Sequence, residues 1–131
     1  MREEEDDVTD EPLLDQSMLN KLHEWGGAEL RGKMVDLFFE NGRQRVDAVK
    51  DGLASGDLEL AERSAHSLKS SAATLGAARV RWVAGRIEEL LEKGDTAAAG
   101  ALFGELNHRF EEALGALGSM RSATGGTETP K

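Results

Sequence analysis

The chain has no cysteine and no tyrosine, and its two prolines, Pro12 and Pro130, stand near its ends. Without cysteine there can be no disulfide, thiolate zinc site or thiol nucleophile. Without an interior proline nothing of that kind interrupts a helix, and the scarcity of β-branched residues argues against strands. No apolar run approaches the ~18 residues that span a bilayer. The N-terminus is acidic where a secretory signal would be basic. These absences predict a soluble, cytoplasmic, all-α protein.

Basic charge is also scarce. The formal net charge is −9, and residues 1–11 hold seven acids against Arg2 alone. Elsewhere eighteen acids face fifteen bases, which leaves no basic stripe for nucleic acid and no polybasic anchor for a membrane. The charge pattern predicts a solvated, disordered tail over 1–12, and the Gly/Thr/Ser-rich end predicts a second flexible tail over 119–131. Between them, residues 13–118 fit one domain. An initiating Met1 followed by an acidic tail is what a free-standing protein would show.

Within that domain the 39% hydrophobic content falls at helical spacing, so a single core is feasible. A first short helix begins after Asp15, an N-cap, with Leu14 and Leu19 as a hydrophobic staple, and ends at Gly26-Gly27. A second covers roughly 28–52, with the seam Val35, Phe38, Gly42, Val46, Val49 and Leu53. Ser55-Gly56-Asp57 breaks the chain. The third helix then runs to Gly76 on the stripe Leu58, Ala61, Ala65, Leu68, Ala72 and Leu75. A fourth, about 78–93, buries Val80, Val83, Ala84, Ile87, Leu90 and Leu91. Asp95-Thr96 opens a fifth, on Leu102, Leu106, Phe110, Ala113, Leu114 and Leu117. Short loops between long amphipathic helices predict an antiparallel up-down-up-down four-helix bundle with an additional short N-terminal helix across one end.

One residue of the third helix stands off its stripe. His66 falls about 130° from the stripe's centre on a helical wheel, and Lys69, Ser70 and Ala73 at i+3, i+4 and i+7 share its face. A neutral imidazole is a nucleophile near pH 7, and phosphorylation at nitrogen gives a labile P–N bond. A fixed ammonium one turn along can hold the phosphoryl oxygens. Small neighbours leave room for another protein to approach. Glu62, at i−4, could orient the ring or repel an incoming anion.

The segment Ala65-His66-Ser67-Leu68-Lys69-Ser70-Ser71-Ala72-Ala73-Thr74-Leu75-Gly76-Ala77 resembles the central motif of histidine-containing phosphotransfer (HPt) domains, Ala-His-x-Leu-Lys-Gly-Ser-Ala-Ala-x-Leu-Gly-Ala. Gly56-Asp57, Arg79, Trp82, Arg86-Ile87-Glu88 and Gly94-Asp95 are also similar to family sequences. The resemblance implies a phosphorelay carrier, not an enzyme in the usual sense. It implies His66 as phosphoacceptor and Lys69 as the phosphoryl-stabilising lysine. The implied partners are response-regulator receiver domains and a (hybrid) histidine kinase, with the protein itself a monomer. Ser70 departs from the family, which usually has glycine there. As a small residue beside the histidine it is expected to border the docking surface and bear on partner choice.

No Walker or Rossmann glycine loop and no ATP-lid segment is present, so no phosphorylation from ATP and no cofactor is expected. The Mg²⁺ of aspartyl phosphorylation is expected in the partner receiver alone. His23 and His108 lack ligand spacing and are read as surface or boundary residues. Leu30, Met34, Leu37 and Phe39 lie off the second helix's seam. The first helix should cover most of them, the functional alternative being an apolar docking patch beside His66. Trp82, with Arg79 at i−3 and Arg86 at i+4, should be capped by arginine stems. The contrasting function is a helical adaptor that binds receiver or kinase domains without carrying phosphate.

Overall fold

The computed structural model describes residues 8–122, and every regular element among them is helical. The helices are α1 (Gln16–Ser55), α2 (Leu58–Leu75), α3 (Ala78–Glu92), α4 (Thr96–Ala101) and α5 (Phe103–Leu117), with 3₁₀ turns at Val8–Asp10 and Gly118–Met120. Helix α1 packs on α2, α2 on α3, α3 on α4 and α5, and α5 back on α1. The core is thus enclosed by a ring of helices.

The expected first and second helices form one element with a break where the two glycines predict it. Gly26 has φ −149° and ψ 15°, and Gly27 has φ 72° and ψ −168°. The second pair of angles is open to glycine and strained for any L side chain. The arm 16–25 therefore leaves the axis of 28–55 without a proline. Asp15 caps it, Oδ1 accepting from the Ser17 amide at 3.1 Å and the Ser17 hydroxyl at 2.6 Å. The Asp15 amide also donates to the Gly76 carbonyl at 2.6 Å, which fastens the start of α1 to the α2–α3 turn. Leu19 is fully buried and Leu14 packs on the core, as a staple requires.

The remaining seams match their expected residues closely. Val35, Phe38, Gly42, Val46 and Val49 of α1 are buried, as are Ala61, Ala65, Leu68, Ala72 and Leu75 of α2. Val80, Val83, Ala84, Ile87 and Leu91 line α3, and Leu106, Phe110, Ala113 and Leu117 line α5. Gly42 lets α5 come close: a Cβ there would stand 2.6 Å from Phe110 Cε1.

Two features differ from the sequence expectation. The expected fifth helix is divided at Leu102, whose amide donates to Ala99 O at 3.1 Å in a tightened i→i−3 turn. Gly100 and Gly104, with no Cβ to favour the α ladder, flank that division. Residues 8–12 and 119–122, assigned to tails on composition, are partly tied down. Val8 is buried, and the Glu11 carbonyl accepts from Arg79 Nε at 2.9 Å. Asp36 Oδ1 accepts from Arg121 Nε at 3.1 Å and the Ser122 amide at 3.2 Å. A few anchoring contacts outweigh an average polarity. The rest of both expected tails, 1–7 and 123–131, lies outside the described residues. The guanidinium groups of the two arginines that flank Trp82 pair with carboxylates, Arg79 with Glu112 and Arg86 with Glu89. Trp82 itself is half-buried against the core.

Candidate functional site

Helix α2 is built to present one face. Asp57 caps it by accepting from the Leu60 amide at 3.1 Å, and Gly76 ends it with φ 74°. Between these caps the buried alanines and leucines fix the helix's rotation, and His66 is left with its side chain 59% exposed. Lys69, one turn on, is 36% exposed. Ser70 is exposed on the same face.

Both His66 and Lys69 reach across to α3. Glu88 Oε2 lies 2.6 Å from His66 Nδ1, and Glu88 Oε1 lies 2.7 Å from Lys69 Nζ. The carboxylate that joins them is only 12% exposed. Burial alone would push its pKa up. The hydrogen bonds and charges of Lys69 and His66 outweigh that, and the group is held below its ordinary value. Glu88 is thus an ionised acceptor with both oxygens occupied.

Glu88 is the site residue that the sequence reading did not single out. Its signal was available: Glu88 is one residue after Ile87, four after Ala84 and three before Leu91, so it sits on α3's apolar stripe. A carboxylate on a buried stripe needs a partner. Gly85, one turn before it, gives Lys69 its path. A Cβ on Gly85 would stand 3.3 Å from Lys69 Cδ, so the lysine stem lies directly over this glycine.

Glu62 borders a cleft of about 300 Å³ together with Glu59, Arg63, His66 and Glu88, but the ring's hydrogen bond goes to Glu88. On the Ser70 side a groove of about 250 Å³ runs between α1 and α2, lined by Met34, Leu37, Phe38, Ser70, Ser71 and Thr74 among others. Leu30, Met34 and Phe39 are half-buried and pack against the core, while Leu37 is 47% exposed. His23 and His108 are exposed and belong to neither cleft. Among the described residues, no helix is long and apolar enough to cross a membrane.

An all-helical bundle that presents an exposed histidine, with a lysine a turn away and a carboxylate beneath both, is suited to carrying a phosphoryl group. The family comparison agrees: the Hpt domain family matches residues 33–119, about two-thirds of the chain. The chain belongs to the Hpt domain family, whose members carry phosphoryl groups rather than act as enzymes in the usual sense, and it serves as a phosphotransfer intermediate in phosphorelay signalling. Among solved structures it is similar to the histidine-containing phosphotransfer protein B (HptB) of Pseudomonas aeruginosa PAO1. That similarity has a TM-score of 0.78 at 24% identity and covers 82% of this chain and 93% of that one. It shows a shared fold. No curated protein matches the chain.

Proposed function

We propose that His66 is the phosphoacceptor, taking a phosphoryl group from a receiver-domain aspartate or a kinase and passing it to the aspartate of a response-regulator receiver. The observation that carries this reading is the pairing of an imidazole 59% exposed with an ammonium on the same helical face. Lys69 then holds the phosphoryl oxygens, leaving Glu88 to do so. The protein acts as a monomer in the cytoplasm. It needs no ATP site or cofactor of its own, because the receiver supplies Mg²⁺ and the acidic pocket.

The receiver docks over the α1–α2 face, with Ser70 at its edge and the groove of Met34, Leu37 and Phe38 taking its apolar residues. The helices run up-down-up-down, and the arm 16–25 acts as the additional short helix over one end of the bundle. The short α1–α2 and α2–α3 connections support that topology.

Transfer of label from a phosphorylated receiver domain tests the reading. Wild type should acquire an acid-labile label and His66→Gln none. A label that persists in His66→Gln, or that resists acid, would overturn the assignment. A helical adaptor would bind the receiver without becoming labelled.

A further inference from the structure

Five polar side chains converge on a cleft that the pairing of His66, Lys69 and Glu88 does not use. It opens between α1 and α2, has a volume of about 460 Å³, and is lined by Gln44, Arg45, Arg63, Ser64 and Ser67 among others, with no acidic residue in its wall. Gln44 and Arg45 come from α1. Arg63, Ser64 and Ser67 share one face of α2, at i, i+1 and i+4.

The donors of this cleft are scarcely used within the molecule. Arg43, Arg79, Arg86, Arg109 and Arg121 each pair with a carboxylate. Arg45 makes no ion pair, hydrogen bond or ring contact among the described residues. Arg63 has one loose contact, 3.6 Å to Glu59, between two largely exposed side chains. Ser64 is only 7% exposed, yet its hydroxyl meets no hydrogen-bonding partner among the described residues. The side chains of Gln44 and Ser67 meet none either. A nearly buried hydroxyl without a partner is costly, and an oxygen-rich anion in the cleft would satisfy it together with both arginines. Two guanidinium forks, two hydroxyls and an amide offer donors from both walls. A carboxylate presents two oxygens in one plane, whereas a phosphate presents oxygens in all directions and can meet both walls at once.

We propose that this cleft binds a phosphate group, as the free ion or as a phosphate monoester, between the Arg45 and Arg63 guanidiniums and over the Ser64 hydroxyl. Arg63 also lines the cleft that contains His66, so the two clefts adjoin at its side chain. The site holds its anion by charge and hydrogen bonds alone and does not depend on His66 being the phosphoacceptor.

Titration of the full chain with inorganic phosphate, phenyl phosphate and acetate tests the site by ¹H–¹⁵N NMR, with sodium chloride at matched ionic strength as the blank. The reporters are the Ser64 and Ser67 amides and the Nε–H groups of Arg45 and Arg63. Inorganic phosphate and phenyl phosphate distinguish the free ion from a monoester, and saturation by either one supports the site. Acetate should bind at least roughly tenfold more weakly, because it leaves one wall unpaired. Arg45→Gln and Arg63→Gln should each weaken phosphate binding roughly tenfold or more, and Ser64→Ala roughly twofold to tenfold. Both arginine variants should melt like wild type, since Arg45 has no internal partner and the Arg63 side chain is 66% exposed. Shifts that fail to saturate with either phosphate, acetate binding as tight as phosphate, or wild-type affinity in both arginine variants would overturn the proposal.

Discussion

Replacing Lys69 with alanine removes an ammonium that has work to do before any phosphate arrives. Its Nζ stands 2.7 Å from Glu88 Oε1, and Glu88 is mostly buried. Read from sequence, an exposed lysine should be dispensable to the fold. The ion pair with Glu88 changes that expectation. A hydrogen bond to a charged group contributes about 1.5–3 kcal/mol. Lys69 is partly exposed, so water can replace some of what it gives, and about 1–2 kcal/mol is the expected loss. For a domain of this size that corresponds to a fall in melting temperature of about 4–8 °C.

The stem contributes separately, because its Cδ packs over Gly85. Lys69→Met keeps that packing and loses only the charge. Thermal unfolding followed by circular dichroism should rank wild type above Lys69→Met, and Lys69→Met at or above Lys69→Ala. Single-turnover transfer from a phosphorylated receiver should fall tenfold to a hundredfold in both variants, because each lacks the charge that meets the phosphoryl group. In a double-mutant cycle with Glu88→Gln, the stability losses should be less than additive, since each mutation removes the same contact. Melting within 1 °C of wild type together with unchanged transfer would refute both roles of Lys69.

Two further outcomes follow from the site and its surroundings. Ser70→Gly should cost about 0.5–1 kcal/mol of stability and preserve transfer, while Ser70→Leu should melt like wild type and lose transfer to receivers. A bulky residue tolerated at position 70 with full transfer would place docking elsewhere. Acid should destabilise the fold through Glu88 and Glu112. Burial would raise the Glu112 pKa, but the hydrogen bonds and charges of Arg109 and Arg79 prevail and hold it below its ordinary value, as Lys69 and His66 do for Glu88. A carboxylate depressed in the folded state stabilises it fully above its unfolded pKa of about 4.5 and loses that contribution as pH falls through the folded value. The melting temperature should therefore hold steady on this account above pH ~5 and drop below ~4.5. Glu112→Gln should have the shallower acid slope, and an identical slope would remove Glu112 from the account.

What the sequence determined by itself was local. Periodic apolar residues, the Asp15 cap, the helix starts at Asp57 and Asp95 and the glycine stops define the helices, because each depends on neighbours within a turn or two. For the same reason His66, Lys69 and Ser70 could be placed on one open face: all three ride on the same helix. Glu88 required the tertiary structure. It is twenty-two residues from His66, and only the packing of α3 on α2 brings its carboxylate beneath both side chains. Gly85 likewise looks like a weak spot in a helix until the Lys69 stem is seen crossing it. Val8 and Arg121 were hidden by averages, since composition reports the polarity of a segment and not the one contact that anchors it. Regular structure follows from interactions along the chain, whereas the charge balance around His66 depends on which helix faces which.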